Sequence, residues 1–427
     1  MEGVQDRHAY RNFASLVGDF AFFSIGFAFY DPIVVVPAFV KELTGSGLMV
    51  GVLSAVRVLM VTLPQMWAAS VLVARPRKKP LLVWSSIGGR LPVLLLAIGT
   101  LLWAGEVPWL VVGALGLSVA CFFTSEGLNG ISWPALVGKA IPARVRGRFL
   151  GLGQLLSSLG ALGAGYVVRL VLGQQGWSSA ARWALLFACA FTGMMLSLLC
   201  ILLVHEEAED RPPSRISVTK SLETMTGYLR QDRRLRRVVA TQLVLGTAAA
   251  VFPFFVVRAR DIVPGGGQMI GLFLMMQNLG GVTAALLCGQ LIDHVGSWAA
   301  IRLGTVVQVA ALLAVILASV MATPQVLYMV AFFLLGFVGG SSWWSFSAYL
   351  LDMATDEQRP IYLATSGILT SPTFLSSILV GGVFGAIAPE VVFALAMLLS
   401  MVAVLLAWGL SKAGGKALAP ETASRSH

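Results

Sequence analysis

Charge is scarce in this sequence: Asp, Glu, Lys and Arg supply 12% of its 427 residues, against 57% hydrophobic ones. That ratio excludes an ordinary soluble domain, in which about a quarter of residues are charged. Cysteine and histidine are rarer still, with four of each. Cys121, Cys189, Cys200 and Cys288 all fall inside apolar stretches without metal-type spacing, so they read as small packing residues and imply no disulfide framework. His8, His205, His294 and His427 sit at ends or in loops, which leaves no histidine-rich metal site within an apolar stretch. Outside these stretches there is also no Ser/His/Asp set, phosphate loop or metal-ligand cluster. Neither catalysis nor a bound cofactor is expected.

What the chain does have is twelve long apolar stretches. The first six are Asn12 to Phe39, Leu48 to Val73, Pro80 to Ala104, Val107 to Val137, Phe149 to Leu172 and Trp183 to Val204. After a polar break come Val238 to Val257, Gln268 to Ile292, Trp298 to Met321, Gln325 to Leu351, Ile361 to Ile387 and Val391 to Leu410. Each meets the roughly 20-residue requirement for crossing a hydrocarbon core of about 30 Å. They are too long and too uniformly apolar for the strands of an outer-membrane barrel, so the fold class is an all-α membrane protein with twelve transmembrane helices.

The net charge of +10 would suggest nucleic acid in a soluble protein, but its distribution speaks of orientation instead. Basic residues gather on every second loop: Arg7 and Arg11, then Arg75, Arg77, Lys78 and Lys79, then Lys139, Arg144, Arg146 and Arg148. The central break and the later inner segments continue the pattern from Arg211 to Arg425, whereas the outer segments hold Lys41, Arg169, Arg182, Arg258 and Arg260. The positive-inside rule then puts both termini in the cytoplasm, in a bacterial inner membrane or one derived from it. A monomer in a lipid bilayer is expected, without nucleic acid.

The chain divides into residues 1–204, a cytoplasmic linker 205–237 and residues 238–427. The linker opens with Glu206, Glu207, Glu209 and Asp210, and its second part, Ser217 to Arg237, sets Leu222, Met225 and Leu229 at helical spacing among basic residues. That pattern predicts a short helix on the anionic inner leaflet. The halves echo each other: Pro37-Ala38-Phe39-Val40 and Pro253-Phe254-Phe255-Val256 each precede a Met-x-Gly, at Met49-Val50-Gly51 and Met269-Ile270-Gly271. Two pseudo-symmetric six-helix bundles follow from such a parallel repeat.

Between the eighth and ninth spans lies Gly289-Gln290-Leu291-Ile292-Asp293-His294-Val295-Gly296. With the helix count, repeat and loop charges, this run makes the chain resemble the major facilitator superfamily, whose G-x-L-x-D-x-x-G loop it matches. The resemblance implies a secondary transporter that works by alternating access, with Gly289, Asp293 and Gly296 as a conformational latch and Arg146, Arg148 and Arg359 as its basic neighbours. The first half departs from the pattern: Val73 stands where the family's Asp would lie. Drug antiporters of this family carry an Arg where Phe123 stands and a Gly-Pro signature in the fifth span, which here has glycines and no proline. The block Phe29 to Pro37 is similar to magnetosome-associated facilitators linked to iron, so transport of iron or another divalent metal is an alternative. Drug efflux and a non-transporting sensor or assembly protein are further ones.

Away from the span ends, five charges lie inside the spans, all in the first half: Asp19, Asp31, Arg57, Arg90 and Glu126. Such groups are costly in a bilayer unless paired or facing a water-filled cavity. At 1.5 Å of rise per residue, Asp31 and Arg57 sit at matching depth, roughly 12 to 15 Å below the outer end. Pro32 breaks the helix beside Asp31, which predicts either a substrate or proton site or a plain ion pair tying two helices. Tyr30 belongs to the same candidate site, and the second half adds Gln277, Asn278, Trp343 and Trp344. Asp19, Arg90 and Glu126 form an inner charge cluster, read either as a structural triad or gate or as a proton-coupling group. A small molecule or ion is the expected substrate, and no resident metal is expected.

Overall fold

The structure, a computed structural model, describes residues 2–72, 75–208, 227–355 and 359–411. Helices supply all the regular structure among them. The first group is α1 (Glu2–Ala28), α2 (Val35–Thr44), α3 (Gly47–Leu72), α4 (Lys79–Trp103), α5 (Pro108–Ala140), α6 (Ala143–Leu172) and α7 (Ser179–Leu203). The second is α8 (Arg233–Ala249), α9 (Pro253–Ile262), α10 (Gly267–His294), α11 (Ser297–Ala318), α12 (Pro324–Met353), α13 (Arg359–Thr370), α14 (Thr373–Phe384) and α15 (Pro389–Trp408). Eleven helical stretches among the described residues are long and apolar enough to cross a membrane. Leu95, Leu159, Leu379 and Leu405 stay exposed on outward faces, as suits a chain surrounded by lipid.

Three expected single spans are each two helices. The first parts at Asp31-Pro32, the seventh before Pro253 and the eleventh at Ser371-Pro372. Proline has no N–H for the preceding turn, so each break needs another way to satisfy the freed groups. At the first, the Asp31 carboxylate accepts from the backbone N–H groups of Ile33 (2.9 Å) and Val34 (2.7 Å), while its own carbonyl accepts from Val35 and Val36. The side chain thus caps the start of α2, where a negative charge also suits the helix dipole. The paired short helices α2 and α9, ten residues each, carry the echoed Pro37 and Pro253 motifs and pack on one another.

Loop residues extend the helices further than the apolar pattern implies. Asp232 caps α8 by accepting from Arg234 and Leu235, so this helix starts at Arg233 rather than Val238. The first part of the predicted surface helix, 217–226 with Leu222 and Met225, falls outside the described residues. Its remaining helical turn, 227–231, ends before Asp232, and Leu229 there packs on a core cluster containing Leu235 and Tyr362. Glu206, which opens the acidic run of the linker, accepts from the N–H groups of Lys78 (2.7 Å) and Lys79 (2.8 Å) and meets Lys139 Nζ at 3.4 Å. It caps α4 and steadies the helix that carries Arg90.

In the first group α1 packs on α6 and α7, α4 on α5 and α7, and α3 on α5; in the second, α12 packs on α10 and α11, and α15 on α8 and α11. Helices α1 and α5 touch only lightly, which leaves room between them. The groups meet through α3 with α14, α6 with α10, and α2 with α9. Glycine permits the first two contacts. A Cβ on Gly51 would lie 2.3 Å from the Ser377 carbonyl oxygen, and one on Gly271 would lie 2.5 Å from that of Gly165. Both contacts lie on the side that the loop charges assign to the outside.

Candidate functional site

Asp31 and Arg57 do not form the expected ion pair; among the described residues no salt bridge links them. Capping explains why: both lone-pair sets of Asp31 are taken, Oδ1 by Ile33 and Val34 and Oδ2 by the Gln277 amide at 2.9 Å. Asp31 therefore ties the first helix group to the second. Arg57 lies over the Phe123 ring at 5.9 Å, and its Nε has no hydrogen-bond partner among the described residues. Around it Pro32, Val36, Pro37 and Ser54 leave a cavity of about 10 Å³, room for about one water. Tyr30 is fully buried, bonded through its hydroxyl to Ser118 at 2.9 Å and packed on Phe122 and Phe187. It is a core residue here rather than part of a cavity wall.

The larger opening lies at the inner cluster. A cavity of about 230 Å³ between α1 and α5, backed by α4 and α7, is lined by Asp19, Arg90 and Glu126 together with Phe23, Asn129 and Trp133. Glu126, Asn129, Gly130 and Trp133 follow i, i+3, i+4 and i+7, so a single face of α5 presents them all. Asp19 is fully engaged, accepting from the Ser197 hydroxyl and the Trp133 indole N–H, each at 2.6 Å. Arg90, 2% exposed, donates to the Met194 carbonyl and, at 3.3 Å, to Ser197 Oγ, and faces the Phe23 ring at 5.9 Å. Its Nε has no partner among the described residues.

Glu126 is the least satisfied of the three. Among the described residues its one hydrogen bond comes from the Asn129 amide at 3.3 Å, and that amide also reaches Ser86 and Ser125. No salt bridge joins Arg90 to either carboxylate among the described residues. Pro134 also lines the cavity and has no N–H to give to the Gly130 carbonyl, which leaves a backbone acceptor at the wall.

The outer ends of the two groups are bolted together. Arg260 on α9 meets Glu42 on α2 at 2.8 Å and donates to the Ala38 carbonyl at 2.5 Å, while Ser179 bonds to the same carboxylate. Burial alone would push the Glu42 carboxyl up, but Ser179 and the Arg260 guanidinium outweigh it and hold it below its ordinary value. The latch side looks different. Asp293 is exposed with no ion pair among the described residues, Gly296 takes a positive φ of 126° in the turn before α11, and Gly289 has open space around it. Arg146 bonds to the carbonyls of Gly138 and Ile141, Arg148 is exposed, and the Arg359 side chain lies outside the described residues, as does that of Trp343. Asn278 bonds within its own helix to Leu274, and Trp344 is exposed.

A sequence profile described as the Major Facilitator Superfamily matches residues 18–371. The chain belongs to the major facilitator superfamily. Solved members with this fold include the D-xylose-proton symporter (TM-score 0.69, 14% identity, covering 95% of this chain and 99% of that chain). A mutant of the nucleoside transporter NupG gives TM-score 0.69 at 14% identity over 93% of this chain and 99% of that one. A bacterial homologue of the iron transporter ferroportin, in an inward-facing state, gives 0.65 at 14% over 93% and 98%. At such identities the likeness is one of fold. No curated protein matches the chain. It is an integral membrane protein of a transporter family, and among its described residues no three His, Cys, Asp or Glu side chains group as a metal site.

Charge and depth group Asp19, Arg90 and Glu126 in the sequence, and the structure brings them to one cavity. Charge and depth miss Trp133, Asn129 and Ser197, although the i, i+3, i+7 spacing from Glu126 marks the first two. The Glu42–Arg260 contact had no sequence signal, since it joins residues 218 positions apart.

Proposed function

We propose that this protein is a secondary transporter that moves a small solute by alternating access, with residues 1–204 and 238–427 as the two rocking bundles. Both termini and the linker lie in the cytoplasm of this arrangement, in a bacterial inner membrane. The observation that carries the reading is the asymmetry between the two ends. The outer ends are closed by Glu42–Arg260, Asp31–Gln277 and two glycine contacts, while the inner side holds a charged cavity and an exposed Asp293 with no ion pair among the described residues. This is one end state of the cycle, with Asp293 and its basic neighbours engaging when the inner side closes. The inner cavity is the solute site, and Asp31 acts as part of the outer gate.

The test is uptake into proteoliposomes of a panel covering sugars, nucleosides, organic anions, organic amines and divalent metals, with and without a pH gradient. At least one class accumulates in a manner that a gradient or counterflow drives. If a protein shown to be folded moves none of them, the transport reading is wrong.

A further inference from the structure

The inner cavity carries two acidic side chains and one arginine, one acid more than the guanidinium can pair, in a place where uncompensated charge is costly. Asp19 has both oxygens occupied and Arg90 is anchored to α7 through two nitrogens. The unmet demand is therefore at Glu126, whose one bond among the described residues is the long one to Asn129. Next to it on the same helix face stand the carbonyl of Gly130 and the ring of Trp133, with Phe20 and Phe23 opposite on α1. A carboxylate, a backbone carbonyl that Pro134 has no N–H to satisfy and aromatic faces together suit a group that is positively charged and donates hydrogen bonds.

We propose that the cavity between α1 and α5 binds a small protonated amine, with Glu126 as its counter-ion. The ammonium pairs with the Glu126 carboxylate, donates a second bond to the Gly130 carbonyl and lies against Trp133. An anion at the unpartnered Arg90 Nε would instead set three negative groups around a single arginine. Asn129, held by Ser85 through its carbonyl at 2.7 Å, keeps the Glu126 carboxylate turned along the wall. This names the substrate class of the site in the transport reading and rests on that reading.

The experiment measures binding of three probes that share a ring and differ in charge: benzylammonium, benzyl alcohol and benzoate. Purified full-length protein in detergent is titrated with each by calorimetry at neutral pH, and with each by thermal unfolding. Benzylammonium is expected to bind and raise the unfolding midpoint, with no comparable effect of the other two. Glu126→Gln should weaken its binding about thirtyfold or more, the lower end for losing one partner of a buried charge pair. Glu126→Asp should retain part of it, and the exposed loop variant Glu106→Gln should bind as wild type. The proposal is overturned if benzoate or benzyl alcohol binds as well as benzylammonium, if none of the three binds, or if folded Glu126→Gln binds the amine unchanged. Should Glu126→Gln not fold, the charge series on the wild-type protein and on Glu126→Asp decides alone. Binding needs no flux, so an amine that binds in a protein inactive across the whole uptake panel overturns the transport reading and leaves this one standing. Flux of another class without amine binding does the reverse.

Discussion

The indole N–H of Trp133 on α5 reaches the Asp19 carboxylate on α1 at 2.6 Å, and this bond closes one edge of the inner cavity where α1 and α5 otherwise barely touch. It holds the two helices that frame the cavity at a fixed separation. Trp133→Phe keeps the aromatic wall but leaves a buried carboxylate oxygen without its donor, a loss of about 1 to 3 kcal/mol. The expected result is a lower unfolding midpoint than wild type, by more than Trp133→Phe combined with Asp19→Asn shows relative to Asp19→Asn alone. Equal effects in both backgrounds would mean that the indole bond contributes nothing.

Asp31 and Arg57 share a depth without sharing an ion pair. The double-mutant cycle of Asp31→Asn with Arg57→Gln is expected to give a coupling of no more than about 1 kcal/mol, well short of the 3 to 5 kcal/mol lost on breaking a buried pair. Asp31→Asn keeps the capping oxygen and should fold, whereas Asp31→Ala loses the cap and should cost about 0.5 to 2 kcal/mol more. Chemical unfolding of the four proteins of the cycle and of Asp31→Ala checks both statements.

The outer closure depends on pH through Glu42. Its carboxyl titrates below the ordinary carboxylate value, so the stabilisation is fully present above that value and is lost as pH falls through the lowered one. Thiol labelling of a single cysteine placed at Ser46 should therefore speed up only at acid pH. The same acid-dependent increase should be absent in Arg260→Gln, which labels quickly at every pH.

Gly51 admits no side chain while α3 lies against α14. A leucine there pushes against the Ser377 carbonyl and the Gly381 backbone, and such overpacking costs about 1 to 3 kcal/mol. The population should shift away from the outward-closed state, visible as faster labelling at Ser46 and slower labelling of a cysteine placed at the inner cavity. Labelling rates at both sites equal to wild type would contradict the account.

The helices and their membrane nature were legible in the apolar runs because a bilayer demands about 20 apolar residues in succession, a constraint that sequence displays directly. The latch motif carried the family. Breaks at Pro253 and Ser371-Pro372 were less visible, since proline is tolerated inside membrane helices, as Pro64, Pro92 and Pro134 show here. Pairing was the weakest inference: equal depth placed Asp31 with Arg57, but depth says nothing of which face a side chain takes, and the cap at Pro32 captured the carboxylate first. The inner cluster was found from charge alone. Its cavity, however, depends on how lightly α1 and α5 touch, which no local pattern reports.

The central claim is that the outer ends must part for a solute to cross, and Glu42 with Arg260 is the place to test it. In a background without Cys121, Cys189, Cys200 and Cys288, cysteines replace Glu42 and Arg260, and a short reducible bifunctional thiol reagent joins them in proteoliposomes. Uptake of whichever solute the panel identifies is then measured before cross-linking, after it and after reduction. Alternating access predicts that uptake falls to background when the pair is joined and returns on reduction; uptake that persists at full cross-linking contradicts it.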